Sequence, residues 1–418
     1  MSNSPAWDSS YEWKAVTLLG VGFGLVGLGR WIIAPLFPFM MNDLRLTYQE
    51  LGNLVGLLGV CWGIFAALAG GLSDKIGRRK VLIPSILAFS ILSGLSGFAT
   101  GFVSLILIRA MTGLTGGSYC PTSFAATNEV SLPKRRGFNQ GIQQSAFALF
   151  GLGFGPIIAT QLMAIVPTWR WVFFIVALPC LIVGGLMIGV IRDVPLAKEH
   201  SEEARKGGWL GILRSRNILL SMAALLCAMT GVFVLSAMLP NYLVDYLHLS
   251  AGQMGFIISA IGFGGFVGQF AVPGLSDLFG RKRMAILGFV GATIMTRLLI
   301  ATGSTPILLF AGLFVISFCS LGLIALLTGP IATESAPAGL VSSAIGIVVA
   351  AGEIFGGGIA PSIAGFIAER YGIQNILYLA FSGVMLGIVI CLFLKETAPR
   401  KIGSSEPKSF EIESSVPG

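Results

Sequence analysis

The sequence predicts an all-α integral membrane protein with twelve transmembrane helices in two pseudo-symmetric six-helix bundles. Three observations lead there. The 418 residues are 55% hydrophobic and 11% charged, with a mean hydropathy of +0.86; soluble chains carry about 25% charged residues, so the bilayer is the solvent for most of this chain. Twelve apolar stretches alternate with charge clusters and turn signals, each near the roughly 20 residues that a spanning helix needs. Finally, several stretches of the first half return in the second at an offset of 203 to 205 residues.

In chain order, span one (14–40) carries Gly20, Gly24 and Gly27 on one face, followed by Arg30, Trp31, Pro35 and Pro38. Span two (51–72) runs into Gly70-Gly71-Leu72-Ser73-Asp74-Lys75-Ile76-Gly77-Arg78-Arg79. Span three covers 80–100. Span four (103–127) holds Arg109, Gly113 and Gly117 at i, i+4 and i+8, then Tyr119. The stretch Glu129 to Gly141 leads into span five (137–166), with Gln140, Gln143 and Gln144 on one face and Gly151-x-x-x-Gly155-Pro156 beyond. Span six is 170–191. A charged connector, 192–216, is too short for a folded domain. Span seven (217–241) ends at Asn241. Span eight (252–273) runs into Pro273-Gly274-Leu275-Ser276-Asp277-Leu278-Phe279-Gly280-Arg281-Lys282, which repeats the loop after span two. Span nine (283–302) contains Arg297. Span ten (305–330) leads to Glu334–Gly346, the counterpart of Glu129–Gly141. Span eleven (340–367) carries Glu353 and Gly356-x-x-x-Ala360-Pro361, the counterpart of the span-five glycine motif. Span twelve is 372–394. The tail is rich in Ser, Pro and charge, a composition that favours disorder. The expected organisation is an N-terminal bundle (1–191), a connector (192–216), a C-terminal bundle (217–395) and a disordered tail (396–418).

The net charge of +8 is a topology signal. Of the 27 Lys and Arg, 21 fall on one side of the predicted spans and only Arg45, Arg170 and Arg370 on the other; Arg30, Arg109 and Arg297 lie within spans. Basic loops stay in the cytoplasm, which places both termini there, in a cell membrane or in the inner membrane of a Gram-negative host. The surplus therefore requires no nucleic acid. Residues 1–13 include Asp8 and Glu12 and lack the pattern of a cleaved signal peptide. The six cysteines are scattered through separate spans, and His200 and His248 sit in loops, so no metal-ligand spacing and no nucleophile–base set emerges. The expectation is a non-enzyme without a cofactor, working as a monomer with a small anionic substrate, protons and lipid as partners.

Charges within the bilayer are expensive and point to function. The Arg30 guanidinium is a planar fork suited to a carboxylate, sulfonate or phosphate; it either contacts a substrate anion or pairs with Glu353 or backbone carbonyls. Glu353 is the single acidic residue deep in a span. A carboxyl there resists ionisation and can bind and release protons; it either carries the coupling proton or pairs with Arg30 or Arg109. Arg297 lies near a span end and can snorkel. Trp31 and Tyr119 are placed to stack on a ring-bearing substrate, and Gln143, Gln144 and Asn241 to line a cavity or bond between helices.

The loop pattern G-x-x-x-D-[RK]-x-G-R-[RK] is met in full by Gly70 to Arg79. With twelve spans in two halves and the degenerate copy at 273–282, the chain resembles the major facilitator superfamily of secondary transporters over residues 14–395. The resemblance implies alternating access between two six-helix halves with substrate near the midplane. It gives Arg109, with Gly113, a part in coupling or in packing the N-terminal half. Gly151 to Pro156 resembles the fifth-span motif of antiporters, though Ala159 and Thr160 replace its trailing glycines. Sugar-phosphate antiporters of the superfamily match the span-one Arg with one in span seven; here Val234 stands at that offset, which favours a single carboxylate. Gly70, Asp74, Gly77, Arg78 and Arg79, with Asp277, Gly280 and Arg281, are expected to gate the conformational change. Asp74 would face the N-terminus of span eleven and Asp277 that of span five, where the helix dipole favours a carboxylate. The function expected is proton-coupled symport of a small organic anion, with a proton-driven efflux antiporter for drugs or metabolites as the alternative.

Overall fold

The computed structural model describes residues 8–132, 135–192, 211–337 and 340–398, without the side chains of Asp74 and Ser342. Residues 193–210 of the expected connector and 399–418 of the expected tail lie outside the described residues. Every regular element among the described residues is helical. Twelve rods form in chain order: α1 (Ser9–Leu44), α2 (Tyr48–Ile76), α3 (Arg78–Leu95), α4 (Phe102–Val130), α5 (Arg136–Met163), α6 (Trp169–Val190), α7 (Arg216–Tyr246), α8 (Ala251–Phe279), α9 (Arg281–Ala301), α10 (Pro306–Ser335), α11 (Val341–Ala351 continuing through Gly352–Ile359 and Ala360–Tyr371) and α12 (Ile376–Leu392). Eleven of them are long and apolar enough to cross a membrane. The other, α4, is 29 residues long, but Arg109 and its Thr, Ser and Gly residues dilute its apolar character.

Local chemistry repeats with the fold. Thr47 and Glu50 form a capping box at the start of α2, and Ser250 and Gln253 form another at the start of α8. Each satisfies backbone donors that a helix start leaves open. Both rods end at a glycine in a conformation closed to other residues, Gly77 at φ 102° and Gly280 at φ 101°. The expected tail boundary moves outward: Glu396 Oε1 accepts from the backbone N–H of Arg281 at 2.7 Å, capping α9, and Ala398 is buried.

Three irregularities position the centre. Rod α1 is interrupted between Ser9–Trp31 and Ile33–Leu44, where Pro35 lacks the N–H that would continue the hydrogen-bond ladder. Rods α5 and α11 each contain a wide π-helical segment, Ala148–Phe154 and Gly352–Ile359, at their matched glycine motifs. Such bulges aim side chains off the regular helical spiral.

The halves meet where α2 packs on α11 and α5 on α8. A Cβ at Gly52 would lie 2.5 Å from the Pro361 carbonyl oxygen, and one at Gly56 would lie 2.6 Å from that of Gly358. Glycine lets these backbones touch, as membrane helices require for close packing. On α5, Gly153 abuts Gly262 of α8 in the same way. Further along the α2 face, around Gly70, nothing lies within 4 Å. The contact is therefore tight towards the face opposite the chain termini and loosens towards the face that carries them. At the tight end, Tyr48 Oη donates to Asp245 at 2.8 Å, its N–H to Glu369 at 3.0 Å, and Gln49 Nε2 to the Ser362 carbonyl at 3.2 Å.

Candidate functional site

Arg30 lies in the last turn of the first stretch of α1, and Glu353 lies in the wide segment of α11. The two folds of backbone bring them together: Arg30 Nη1 donates to Glu353 Oε1 at 3.1 Å and Nη2 to Oε2 at 2.7 Å. This is a fork-to-fork pair between the two halves, with the side chains only 3% and 10% exposed. In a low-dielectric interior such a pair is held together strongly once formed, and either partner alone is heavily penalised. The guanidinium lies over the Trp62 ring at 4.5 Å, with Phe233 at 5.3 Å and Trp31 at 5.5 Å. Attraction between cation and ring faces holds it there. A cavity of about 10 Å³, lined by Arg30, Trp31, Ile33, Val55, Leu58 and Arg109, has room for one water.

Arg109 sits behind this pair. One Nη donates to the carbonyls of Gly29 at 3.4 Å and Arg30 at 3.3 Å. These carbonyls are left open by the interruption of α1, and a cation suits the C-terminal end of a helix. Its Nε and other Nη have no hydrogen-bond partner among the described residues. Arg109 thus holds the backbone that presents Arg30, while Glu353 is engaged by Arg30 itself.

The remaining expected residues are distributed more widely. Trp31 lines the cavity, edge-on to Phe233 at 5.0 Å, with its indole N–H buried and unpartnered. Tyr119 is fully buried against Phe23, its hydroxyl 3.5 Å from the Leu19 carbonyl. Gln143 accepts from Thr127 Oγ1 at 2.6 Å and donates to Ser123 Oγ at 2.8 Å, which ties α5 to α4. Gln144 is half-buried without a side-chain hydrogen bond among the described residues. Asn241 lies at the tight end and donates to Asp245 at 3.0 Å and to Met41 Sδ at 3.1 Å.

The two matched sequence pairs turn out to be partners of each other. In the first half, Arg78 donates to Glu129 at 2.9 Å and to Ser73 Oγ at 2.6 Å, and Arg79 donates to the Ile188 carbonyl at 2.6 Å. In the second half, Arg281 pairs with Glu334 at 2.9 Å and donates to Ser276 Oγ at 2.6 Å, and Lys282 donates to the Leu392 carbonyl at 2.7 Å. Each network ties the loop after the second rod of a half to the end of its fourth rod. Asp277 pairs with Arg281 at 2.6 Å, inside its own half, rather than with the start of α5. The Asp74 side chain lies outside the described residues.

Two residues that the sequence did not single out matter here. Trp62 forms the floor beneath Arg30; its signal was its position beside Gly63 on the glycine face of α2. Glu12 is fully buried, accepting from the Leu132 N–H at 3.1 Å and Asn139 Nδ2 at 3.2 Å, with Arg135 at 3.8 Å. Its place in the polar flank of span one gave no hint of burial. No metal-holding cluster of His, Cys, Asp and Glu occurs among the described residues.

Comparison with known proteins identifies the family and the fold. The family model described as Major Facilitator Superfamily matches residues 19–240 and 221–414. The chain is 27% identical to a probable 4-methylmuconolactone transporter of Cupriavidus pinatubonensis, covering 90% of each chain. It is 27% identical to the sialic acid transporter NanX of Escherichia coli, covering 90% of this chain and 93% of that one, and 25% identical to a hexuronate transporter of Bacillus subtilis, covering 88% and 91%. Among solved structures it superimposes with a TM-score of 0.71 on a bacterial homolog of the human lysosomal transporter Spinster in an inward-facing, unoccupied conformation, at 15% identity, covering 96% of this chain and all of that one.

Proposed function

The chain belongs to the major facilitator superfamily and is a multi-pass membrane transporter, and from that premise we propose that it moves a small organic carboxylate together with a proton by alternating access. The observation that carries this reading is the buried Arg30–Glu353 pair between the halves. An incoming carboxylate competes with Glu353 for the same guanidinium fork. Once displaced, Glu353 would be a buried carboxylate without a counter-charge, a state penalised by several kcal/mol; taking up a proton removes that penalty. Anion and proton therefore bind as a neutral unit. Release of the anion lets Glu353 give up the proton and return to Arg30. Relatives named for methylmuconolactone, sialic acid and hexuronate support an acid as cargo. The basic loops support a cell-membrane protein with both termini in the cytoplasm, so that the loosened end of the α2–α11 contact opens inward.

Uptake of a labelled acid into proteoliposomes under an imposed pH gradient tests this. Glu353→Gln is expected to lose gradient-driven accumulation and keep counterflow exchange, because a neutral glutamine mimics the protonated state. Accumulation that survives in Glu353→Gln would overturn the symport reading. The rival efflux antiporter rests on the partial fifth-span motif, which forms the wide segment of α5; it predicts proton-driven loss of label from the same vesicles.

A further inference from the structure

We infer that the centre of the molecule binds a chloride ion beside Arg109, at a site separate from the Arg30 fork. Charge balance leads there. The buried charged residues among those described are Glu12, Arg30, Arg109, Arg281 and Glu353. At the rod ends Glu12 faces Arg135 and Arg281 faces Glu334. Two arginines and one carboxylate are left at the centre. Glu353 gives both oxygens to Arg30, so the charge of the buried Arg109 has no counter-charge among the described residues. What Arg109 has instead are the Gly29 and Arg30 carbonyls on one Nη, and the Phe173 ring 5.7 Å from its guanidinium carbon. These carry no net negative charge, and burying a charge without one is heavily penalised.

Counting donors identifies the occupant. Arg109 Nε, its second Nη and the Trp31 indole N–H are buried without a hydrogen-bond partner among the described residues, and both residues line the same small cavity. The polar side chains around it, Arg30, Arg109 and Trp31, donate and cannot accept, while Ile33, Val55 and Leu58 do neither. A water has only two lone pairs for these three groups, and its own hydrogens would find no side-chain acceptor. A halide accepts from all three, supplies the missing negative charge and needs no acceptor. A cavity of about 10 Å³ admits one small sphere, which excludes a carboxylate, phosphate or sulfate by size.

The lining residues belong to α1, α2 and α4, all in the first half. Glu353 comes from the second half. The chloride therefore stays with Arg109 while Glu353 leaves Arg30 and returns, as a resident counter-ion and not as cargo. With it bound, two arginines face two negative charges and the centre is neutral.

The test is thermal unfolding of the full-length protein, purified without halide and titrated with sodium chloride or bromide. Methanesulfonate, too large for the cavity, holds the ionic strength constant. The parent chain is compared with Arg109→Met and Trp31→Phe, each checked for folding by gel filtration. Both halides are expected to raise the parent Tm along a saturating curve, because only the folded chain has the site. Arg109→Met, which removes the charge and two donors together, should lose the curve. Trp31→Phe should keep it with half-saturation shifted up roughly ten-fold, the factor for one hydrogen bond to a charged group. Crystals grown in bromide should show an anomalous peak between Arg109 and the Trp31 indole nitrogen. A parent Tm that does not respond to halide would overturn the inference, as would a curve unchanged in folded Arg109→Met. A bromide peak on the Arg30 fork instead of beside Arg109 would do the same. No organic acid enters the measurement, so the Arg30–Glu353 reading stands or falls by its own uptake test.

Discussion

At Arg30, two interactions converge on one guanidinium, the Glu353 carboxylate and the ring faces around it, and a second arginine holds the backbone behind it. Removing one member of a buried pair strands the other. Arg30→Ala and Glu353→Ala are each expected to destabilise the protein by about 3–5 kcal/mol. The double variant Arg30→Met/Glu353→Leu should recover most of that loss and still fail to transport; thermal unfolding beside an uptake assay separates the two effects. Arg109 acts through Arg30, by holding the carbonyls of Gly29 and Arg30. Arg109→Met is expected to weaken acid binding while leaving the pH dependence of exchange in place, since Glu353 does not depend on Arg109 for a partner. A shifted pH profile with unchanged affinity would instead assign Arg109 to proton handling. The sequence made Arg30 and Glu353 conspicuous because charge in an apolar run is rare. It left their pairing open, because residues 323 positions apart carry no local sign that they touch.

At the level of elements, a helix end, a glycine face and a proline each behave as local sequence dictates. Gly77 and Gly280 were legible as repeats in the matched loops, and the structure adds the capping boxes at Thr47 and Ser250, whose physics is likewise confined to a few residues. The glycine faces told that helices approach closely without saying which helices. The structure resolves this as α2 on α11 and α5 on α8. Gly56→Val is expected to push α2 from α11 and favour the state open at the end opposite the termini, read as faster labelling of a cysteine placed at the half-buried Asn53 in an otherwise cysteine-free chain. Within the halves, Arg281 joins Glu334, Asp277 and Ser276. Glu334→Gln should destabilise by about 1.5–3 kcal/mol, the range for a hydrogen bond to a charged group, checked by chemical denaturation in detergent. Tyr119 illustrates the limit of element-level reading: its span was right, but its rotational position about α4 turns it onto Phe23 rather than the cavity.

For the whole molecule, the two halves are joined by polar ties at one end, an ion pair at the centre, and an open glycine face at the other end. That gradient is what a rocking transporter needs, because each tie must be made and broken once per cycle. Tyr48→Phe removes one cross-half hydrogen bond, worth about 1.5–3 kcal/mol when the acceptor is charged. It should shift the balance towards the opposite conformation by roughly ten-fold or more, measurable as a change in the distance distribution between spin labels on α2 and α11; an unchanged distribution would remove this tie from the gate. The sequence by itself determined the membrane setting, the twelve spans, the duplication and the three charges of the centre, Arg30, Arg109 and Glu353. All of these follow from residue-by-residue transfer between water and lipid and from local backbone chemistry. Only the tertiary structure decided that Arg30 reaches Glu353, that Trp62 lies beneath them, and that Arg78 and Arg281 bind the glutamates of their own halves. Such pairings depend on the rotation and tilt of helices packed against distant neighbours, and lipid, being as apolar as the helix surfaces, leaves that choice to fit and to polar partners rather than to hydrophobic pattern.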